Sequence, residues 1–154
     1  MSINMEFVCT QPVVVVEDSD EDYDTFHIAA TSARLPNQII RTTSGGGCLK
    51  LLQASLNGGL INRPGLVLMD LNTYGIDGRD ALQIIKTDTH FKDLPVVVFS
   101  TSNDPKDLAF CYQAGANAYH VKPVRHDDHL NLLHNIFNYW LRSVALHGSR
   151  KEFE

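Results

Sequence analysis

Three short apolar runs constrain the fold of this chain more than any other feature of its sequence. Pro12–Val16, Leu66–Met69 and Leu94–Phe99 are apolar at every position, with no alternation of apolar and polar residues. A strand that is buried on both faces, as in a parallel sheet, has this continuous pattern. Strand and helix patterns alternate five times along the chain. The sequence therefore predicts an α/β fold, a doubly wound parallel sheet of five strands with helices on both faces.

The limits of the individual elements follow from turn residues and helical spacing. Predicted strands cover 12–16, 38–43, 66–69, 94–100 and 116–121, and predicted helices cover 20–33, 48–56, 79–86, 105–114 and 126–146. The three glycines at 45–47 are expected to form a flexible approach to the second helix. The last helix would be roughly 30 Å long at 1.5 Å per residue.

Composition restricts the protein's surroundings and partners. The chain has 13 basic and 18 acidic residues among 154, and its net charge of −5 argues against a nucleic-acid-binding surface. No apolar run approaches the roughly 18 residues of a membrane span, and no signal peptide is apparent. Three cysteines in separate parts of the chain fit neither a disulfide framework nor a zinc site. We expect a cytoplasmic protein with reduced thiols, in which Cys48 and Cys111 are buried.

Polar side chains follow four of the five predicted strands. Glu17 and Asp18 come after the first strand and Asp70 after the third, while Ser100 ends the fourth and Lys122 follows the fifth. The carboxyl ends of parallel strands lie at one edge of the sheet, so these groups can converge. Crowded carboxylates repel one another unless a cation is present, and their oxygen atoms suit Mg²⁺. Together with a lysine and a hydroxyl they predict a phosphoryl-transfer site with a carboxylate nucleophile. Two further acids nearby, at 22 and 24, are assigned to a solvated helix face.

With these motifs the chain resembles a response-regulator receiver domain of two-component signalling, a family of signalling proteins rather than enzymes. The matching pieces are Val15–Asp18, Leu68–Asn72, Asp77–Gly78, Val96–Thr101 and Tyr119–Pro123. The resemblance covers 12–146 and leaves 1–11 and 147–154 as terminal extensions. It implies the flavodoxin-like strand order 2-1-3-4-5.

The resemblance also implies a role for each residue of the site. Asp70 would be the phosphoacceptor for a histidine kinase, and Glu17, Asp18, Asp70 and the backbone carbonyl of Asn72 would hold Mg²⁺. Ser100, Thr101 and Lys122 would contact the phosphoryl group, and Tyr119 would be the aromatic switch residue. The sequence departs from the family pattern at Tyr74, where proline is usual, so the fixed φ of proline is lost in this loop.

The last predicted helix carries two apolar stripes, and packing on a sheet requires only one. The stripes are Leu130, Leu133, Phe137, Trp140 or Leu141, and Val144, and Leu132, Ile136, Tyr139 and Leu146. A second stripe indicates an interaction surface. This helix resembles that of small response regulators paired with bacterial phytochromes. The resemblance implies a phytochrome kinase as partner and a homodimer through helix 4, strand 5 and helix 5, with Ile136, Phe137, Tyr139 and Trp140 at the interface.

Two other readings of the site remain open at this point. A phosphatase of the haloacid-dehalogenase type also uses an aspartate nucleophile with Mg²⁺, but its Asp-x-Asp motif follows the first strand, whereas Asp70 follows the third and is paired with Asn72. Alternatively, the chain is a scaffold with a receiver fold that works without phosphorylation, which Tyr74 and the large last helix would suit.

Overall fold

Five parallel strands form the central sheet in a computed structural model that describes residues 7–57, 62–73, 75, 77–147 and 150–151. In chain order they are β1 (Val13–Val16), β2 (Ile39–Thr42), β3 (Leu66–Met69), β4 (Val96–Ser100) and β5 (Ala118–Val121). Their spatial order is β2-β1-β3-β4-β5, which confirms the predicted flavodoxin-like fold.

Five helices connect and follow these strands, each close to its predicted place. They are α1 (Asp20–Ser32), α2 (Gly45–Leu56), α3 (Gly78–Thr87), α4 (Pro105–Ala114) and α5 (His126–Phe137). A two-residue strand at Phe7–Val8 also pairs antiparallel with Arg150–Lys151. Among the described residues, no helix is both long and apolar enough to cross a bilayer.

The sheet divides the core into two layers, which explains why its central strands are apolar throughout. Alternate residues of β1, β3 and β4 face α2, α3 and α4 on one side, and α1 and α5 on the other. All four residues of β1 and of β3 are buried. Cys48 and Cys111 are buried as predicted, and all three cysteines are free thiols.

Side-chain caps determine where the helices begin. Ser44 accepts a hydrogen bond from the Gly47 N–H at 3.0 Å, so α2 begins at Gly45, three residues before its predicted start. The glycines therefore form the first helical turn, and the prediction of a flexible approach was wrong. Asp77 likewise caps α3 by accepting from the Arg79 N–H at 2.8 Å.

The last helix is shorter than predicted, since α5 ends at Phe137 and only a six-residue π-helix, Asn138–Ser143, continues it. Val144 is already extended. The Cys9 N–H donates to the Leu141 carbonyl at 3.0 Å, and the Arg142 guanidinium donates to the Ala33 carbonyl. These contacts with the N-terminal segment and α1 anchor the last turn and end the helix before residue 146.

The core uses residues from both apolar stripes of α5, because the helix packs against the sheet on one face and against α1 on another. Phe137 is 1% exposed and meets the Phe26 ring edge-to-face at a centroid distance of 5.3 Å. Ile136 is also buried, at 2%. Two of the four residues predicted for a dimer interface are thus buried in the protein's own core, although Ile136 also lines the groove between β5 and the last helix. Tyr139 is 54% exposed and Trp140 is half-buried.

Candidate functional site

The backbone hydrogen bonds of the sheet continue past the strand ends and so place the first polar residues side by side. In register, Val16 of β1 lies opposite Met69 of β3. The Asp70 N–H then donates to the Val16 carbonyl at 3.0 Å, and the Lys122 N–H donates to the Ser100 carbonyl at 2.7 Å. The side chains of Asp70 and Lys122 therefore start from fixed positions at the carboxyl edge of the sheet.

Three carboxylates converge at this edge. One oxygen from each of Glu17, Asp18 and Asp70 can be chosen so that all three lie within 4.8 Å of one another. Glu17 and Asp70 are buried, and Asp18 is half-buried and reaches solvent. Such a donor set of hard oxygen atoms with one open side fits a divalent cation that keeps part of its water shell.

Lys122 lies against these acids with its side chain only 4% exposed. Its Nζ donates to Glu17 Oε1 at 2.5 Å, to Asp22 Oδ2 at 2.8 Å and to Asp70 Oδ2 at 3.2 Å. Burial by itself lowers the pKa of Lys122, but the adjoining carboxylates of Asp22 and Glu17 raise it further than burial lowers it. The ammonium is therefore a permanent positive charge beside Asp70.

Glu17 is harder to ionise in this arrangement than it would be in water. Burial raises the pKa of Glu17 to about 7, and the Asp70 carboxylate adds to the increase, although Lys122 opposes it. A carboxyl group with a raised pKa binds a proton readily, and a metal ion at the same place would relieve the same repulsion. The cluster is thus suited to binding cations.

Ser100 ends β4 beside the cluster and is 0% exposed. Its Oγ accepts the Ser102 N–H at 3.2 Å, and its side chain also forms a hydrogen bond with Tyr119. Thr101 is exposed. Asn72 is exposed as well, and its N–H donates to Asp70 Oδ1 at 3.3 Å.

Tyr119 is half-buried and connects β5 to the loop after β4. Its hydroxyl donates to the Ser102 carbonyl at 2.8 Å, and burial raises its pKa. The Ser102 hydroxyl donates to Asp107 at 2.6 Å, and Arg79 pairs with Asp107 at 2.8 Å. Polar contacts thus run from Tyr119 through the start of α4 to the start of α3.

Gly78 holds the loop after Asp70 close to the site. A Cβ at this position would lie 2.4 Å from the Asp70 carbonyl oxygen and 2.9 Å from the Leu71 Cα. Its N–H donates to the Leu71 carbonyl at 3.0 Å. Only glycine allows α3 to begin this close to the Asp70 backbone. Tyr74, where the sequence departs from the family pattern, lies outside the described residues.

Sequence reasoning missed one member of the site. Asp22 was assigned to a solvated helix face, but its carboxylate is 31% exposed and pairs with Lys122. The two residues are 100 positions apart. A run of acids at the start of a helix is equally typical of favourable interaction with the helix dipole, so the sequence contains no signal that distinguishes Asp22 from its neighbours.

Comparison with known proteins identifies the class. The family model of the response regulator receiver domain matches residues 13–134, and the chain belongs to this family. Receiver domains are not generally classed as enzymes. The alternative of a haloacid-dehalogenase phosphatase also fits poorly, because its nucleophile follows the first strand whereas Asp70 follows the third.

Within the family, the chain is related to phytochrome response regulators. It is 30% identical to "Response regulator Rcp1" of Synechocystis over 134 residues, which are 87% of this chain and 91% of that protein. The phosphorylated cyanobacterial phytochrome response regulator RcpA is 28% identical, with a TM-score of 0.84 over 90% of this chain and 99% of that one. The Mn²⁺-bound crystal structure of Rcp1 is 29% identical, with a TM-score of 0.82 over 89% and 99%.

Proposed function

We propose that the protein is a response regulator in which Asp70 accepts a phosphoryl group from a histidine kinase in a Mg²⁺-dependent reaction. The observation that carries this proposal is the convergence of Glu17, Asp18 and Asp70 within 4.8 Å, with the Lys122 ammonium 3.2 Å from Asp70. The similarity to a phosphorylated response regulator and to a Mn²⁺-bound one supports it.

In the proposed reaction, a carboxylate oxygen of Asp70 attacks the phosphorus of a phosphohistidine. The bond from phosphorus to the histidine nitrogen breaks, and an acyl phosphate forms on Asp70. Lys122 pairs with the negative charge of the transferred group, and the Ser100 hydroxyl donates a hydrogen bond to one of its oxygen atoms. Glu17, Asp18 and Asp70, with the Asn72 carbonyl, would hold Mg²⁺, which when bound supplies the positive charge that lets an anionic donor approach the acids.

After transfer, Ser100 and Thr101 are expected to shift toward the phosphoryl group. Because Tyr119 is hydrogen-bonded to the backbone two residues beyond Ser100, such a shift would change the surroundings of its ring. Signal would then leave through protein contacts on α4, β5 and the last helix.

Incubation with acetyl phosphate and Mg²⁺ followed by intact mass spectrometry tests the phosphoacceptor. We expect an adduct of about 80 Da on the wild type. No adduct should form when EDTA is present or in the Asp70→Asn variant. Asp80→Asn, an exposed acid in the first turn of α3, is the matched control and should keep the adduct. No adduct on the wild type, or one that survives Asp70→Asn, contradicts the proposal and favours a scaffold that works without phosphorylation.

We further propose a phytochrome histidine kinase as the phosphodonor, because the similar protein RcpA is a phytochrome response regulator. A cytoplasmic location forms part of this proposal, because histidine kinases draw their phosphoryl group from cytoplasmic ATP. Phosphotransfer profiling against the histidine kinases of the host would test the pairing. Preferential transfer from a kinase without a phytochrome module would contradict it.

A homodimer through α4, β5 and the last helix is also proposed. A groove of about 410 Å³ runs between β5 and the last helix, lined by Ala118, His120, Tyr139 and Trp140 among others. Tyr139 meets Trp140 edge-to-face at 4.9 Å, which makes an aromatic surface available to a second copy. In sedimentation velocity, Trp140→Ala should weaken association, whereas Ile28→Ala on α1 should not. A wild type that stays monomeric at all concentrations contradicts the dimer.

The proposed receiver unit covers 12–146, with 1–11 and 147–154 as extensions. The family match over 13–134 supports the central part of this range. Cys9 is 2% exposed, and its N–H donates a hydrogen bond to the Leu141 carbonyl, so the N-terminal extension contributes to the core.

A further inference from the structure

Lys122 has more anionic partners than the proposed phosphoryl transfer requires. An ammonium group has three N–H donors, and all three are used by Glu17, Asp22 and Asp70. An incoming phosphoryl oxygen that pairs with Lys122 must therefore displace one of these carboxylates or share a donor with it.

The three carboxylates differ in how readily they can be displaced. Glu17 and Asp70 directly follow β1 and β3, with backbone N–H groups bonded into the sheet, and their side chains are 7% and 10% exposed. Asp22 lies in the first turn of α1 and its side chain is 31% exposed. Because its carboxylate is already partly exposed, it can turn into water with the smallest rearrangement of the three, so it is the partner that gives way.

Asp22 also lies closer to the Lys122 nitrogen than the proposed phosphoacceptor Asp70 does. Its oxygen lies 2.8 Å from the Lys122 nitrogen, whereas the Asp70 oxygen lies 3.2 Å away. The Asp22 N–H is held by the Ser19 side chain at 3.2 Å, which fixes the start of its side chain toward the site.

We propose that Asp22 is a positioning residue that competes with the phosphoryl group for the Lys122 ammonium, and so weakens the binding of a phosphoryl group at Asp70. The inference rests on the proposed function, because it assigns a regulator to the same site. Asp22 acts through Lys122 and takes no part in bond making.

Binding of beryllofluoride, a non-covalent mimic of the phosphoryl group, tests the proposal without turnover. At saturating Mg²⁺, Asp22→Asn should lower the Kd by about threefold to fivefold, the size expected for a partly exposed ion pair. Asp24→Asn removes the same charge from an exposed position of α1 and should leave the Kd unchanged. Unchanged or weaker binding by Asp22→Asn overturns the proposal.

A double-mutant cycle separates competition for Lys122 from simple repulsion of the anion. In a Lys122→Met background, Asp22→Asn should no longer tighten beryllofluoride binding, and persistence of the effect contradicts the proposal. Asp22→Glu keeps the charge and should bind like the wild type, so a tightening equal to that of Asp22→Asn also contradicts it.

Failure of this inference can be distinguished from failure of the proposed function. A wild type that binds no beryllofluoride and gains no phosphoryl adduct refutes both. A wild type that does both, with no difference between Asp22→Asn and Asp24→Asn, refutes only the role of Asp22.

Discussion

Glu17→Gln is expected to stabilise the metal-free protein at alkaline pH, although it removes a partner of Lys122. The side chain of Glu17 is 7% exposed and lies in a cluster with Asp18 and Asp70. Folding raises its pKa from 4.5 to about 7, mainly by burial. At a pH above both values, this pKa change lowers the free energy of unfolding by about 3 kcal/mol. Replacing Glu17 with a neutral residue can restore at most this amount.

The sign of the pH dependence follows from proton binding. The folded state holds the Glu17 proton more tightly than the unfolded chain does, since its pKa is raised on folding. The resulting stability is complete below pH 4.5 and is lost as the pH rises through about 7. The advantage of Glu17→Gln over the wild type should therefore be small at pH 5 and reach about 1–3 kcal/mol at pH 8.

Urea denaturation at pH 5 and pH 8, followed by far-UV circular dichroism in EDTA, measures this difference. Mg²⁺ at ten times its Kd should add about 1.4 kcal/mol to the wild type and less to the variant. Glu21→Gln removes an exposed acid from the first turn of α1, four residues further along the chain, and should show no such advantage at pH 8. If Glu17→Gln is no more stable than the wild type at pH 8, or if its advantage is equal at both pH values, the reasoning is refuted.

Three further predictions concern packing, the loop after Asp70 and the thiols. Phe137→Ala should cost about 3–5 kcal/mol in urea denaturation, because the ring is 1% exposed, whereas Ile28→Ala at a half-exposed site should cost under about 1 kcal/mol; similar losses would contradict the packing. Gly78→Ala should slow phosphorylation by acetyl phosphate at least about tenfold, because the new Cβ displaces the Asp70 backbone; an unchanged rate would refute this. Ellman's reagent should leave all three cysteines unmodified until urea is added, since burial raises the pKa of Cys48 to about 12; rapid labelling of the native protein would contradict this burial.

Much of the site was predictable because parallel strands end at a common edge. The polar residues at the carboxyl ends of β1, β3, β4 and β5 needed only the strand assignments to be placed together. The roles of Asn72 and Tyr119 came from family resemblance, and no pattern of residue types would have suggested them.

The sequence by itself determined the layered α/β architecture and the convergence of Glu17, Asp70, Ser100 and Lys122, since both depend on short-range patterns of apolar and polar residues. Only the tertiary structure decided that Asp22 pairs with Lys122 and that Phe137 is buried against α1 instead of being exposed to a partner. The physical reason is the same in both cases. A local pattern indicates that one face of a helix is polar or apolar, but which atoms that face meets depends on elements that lie about 100 residues away along the chain.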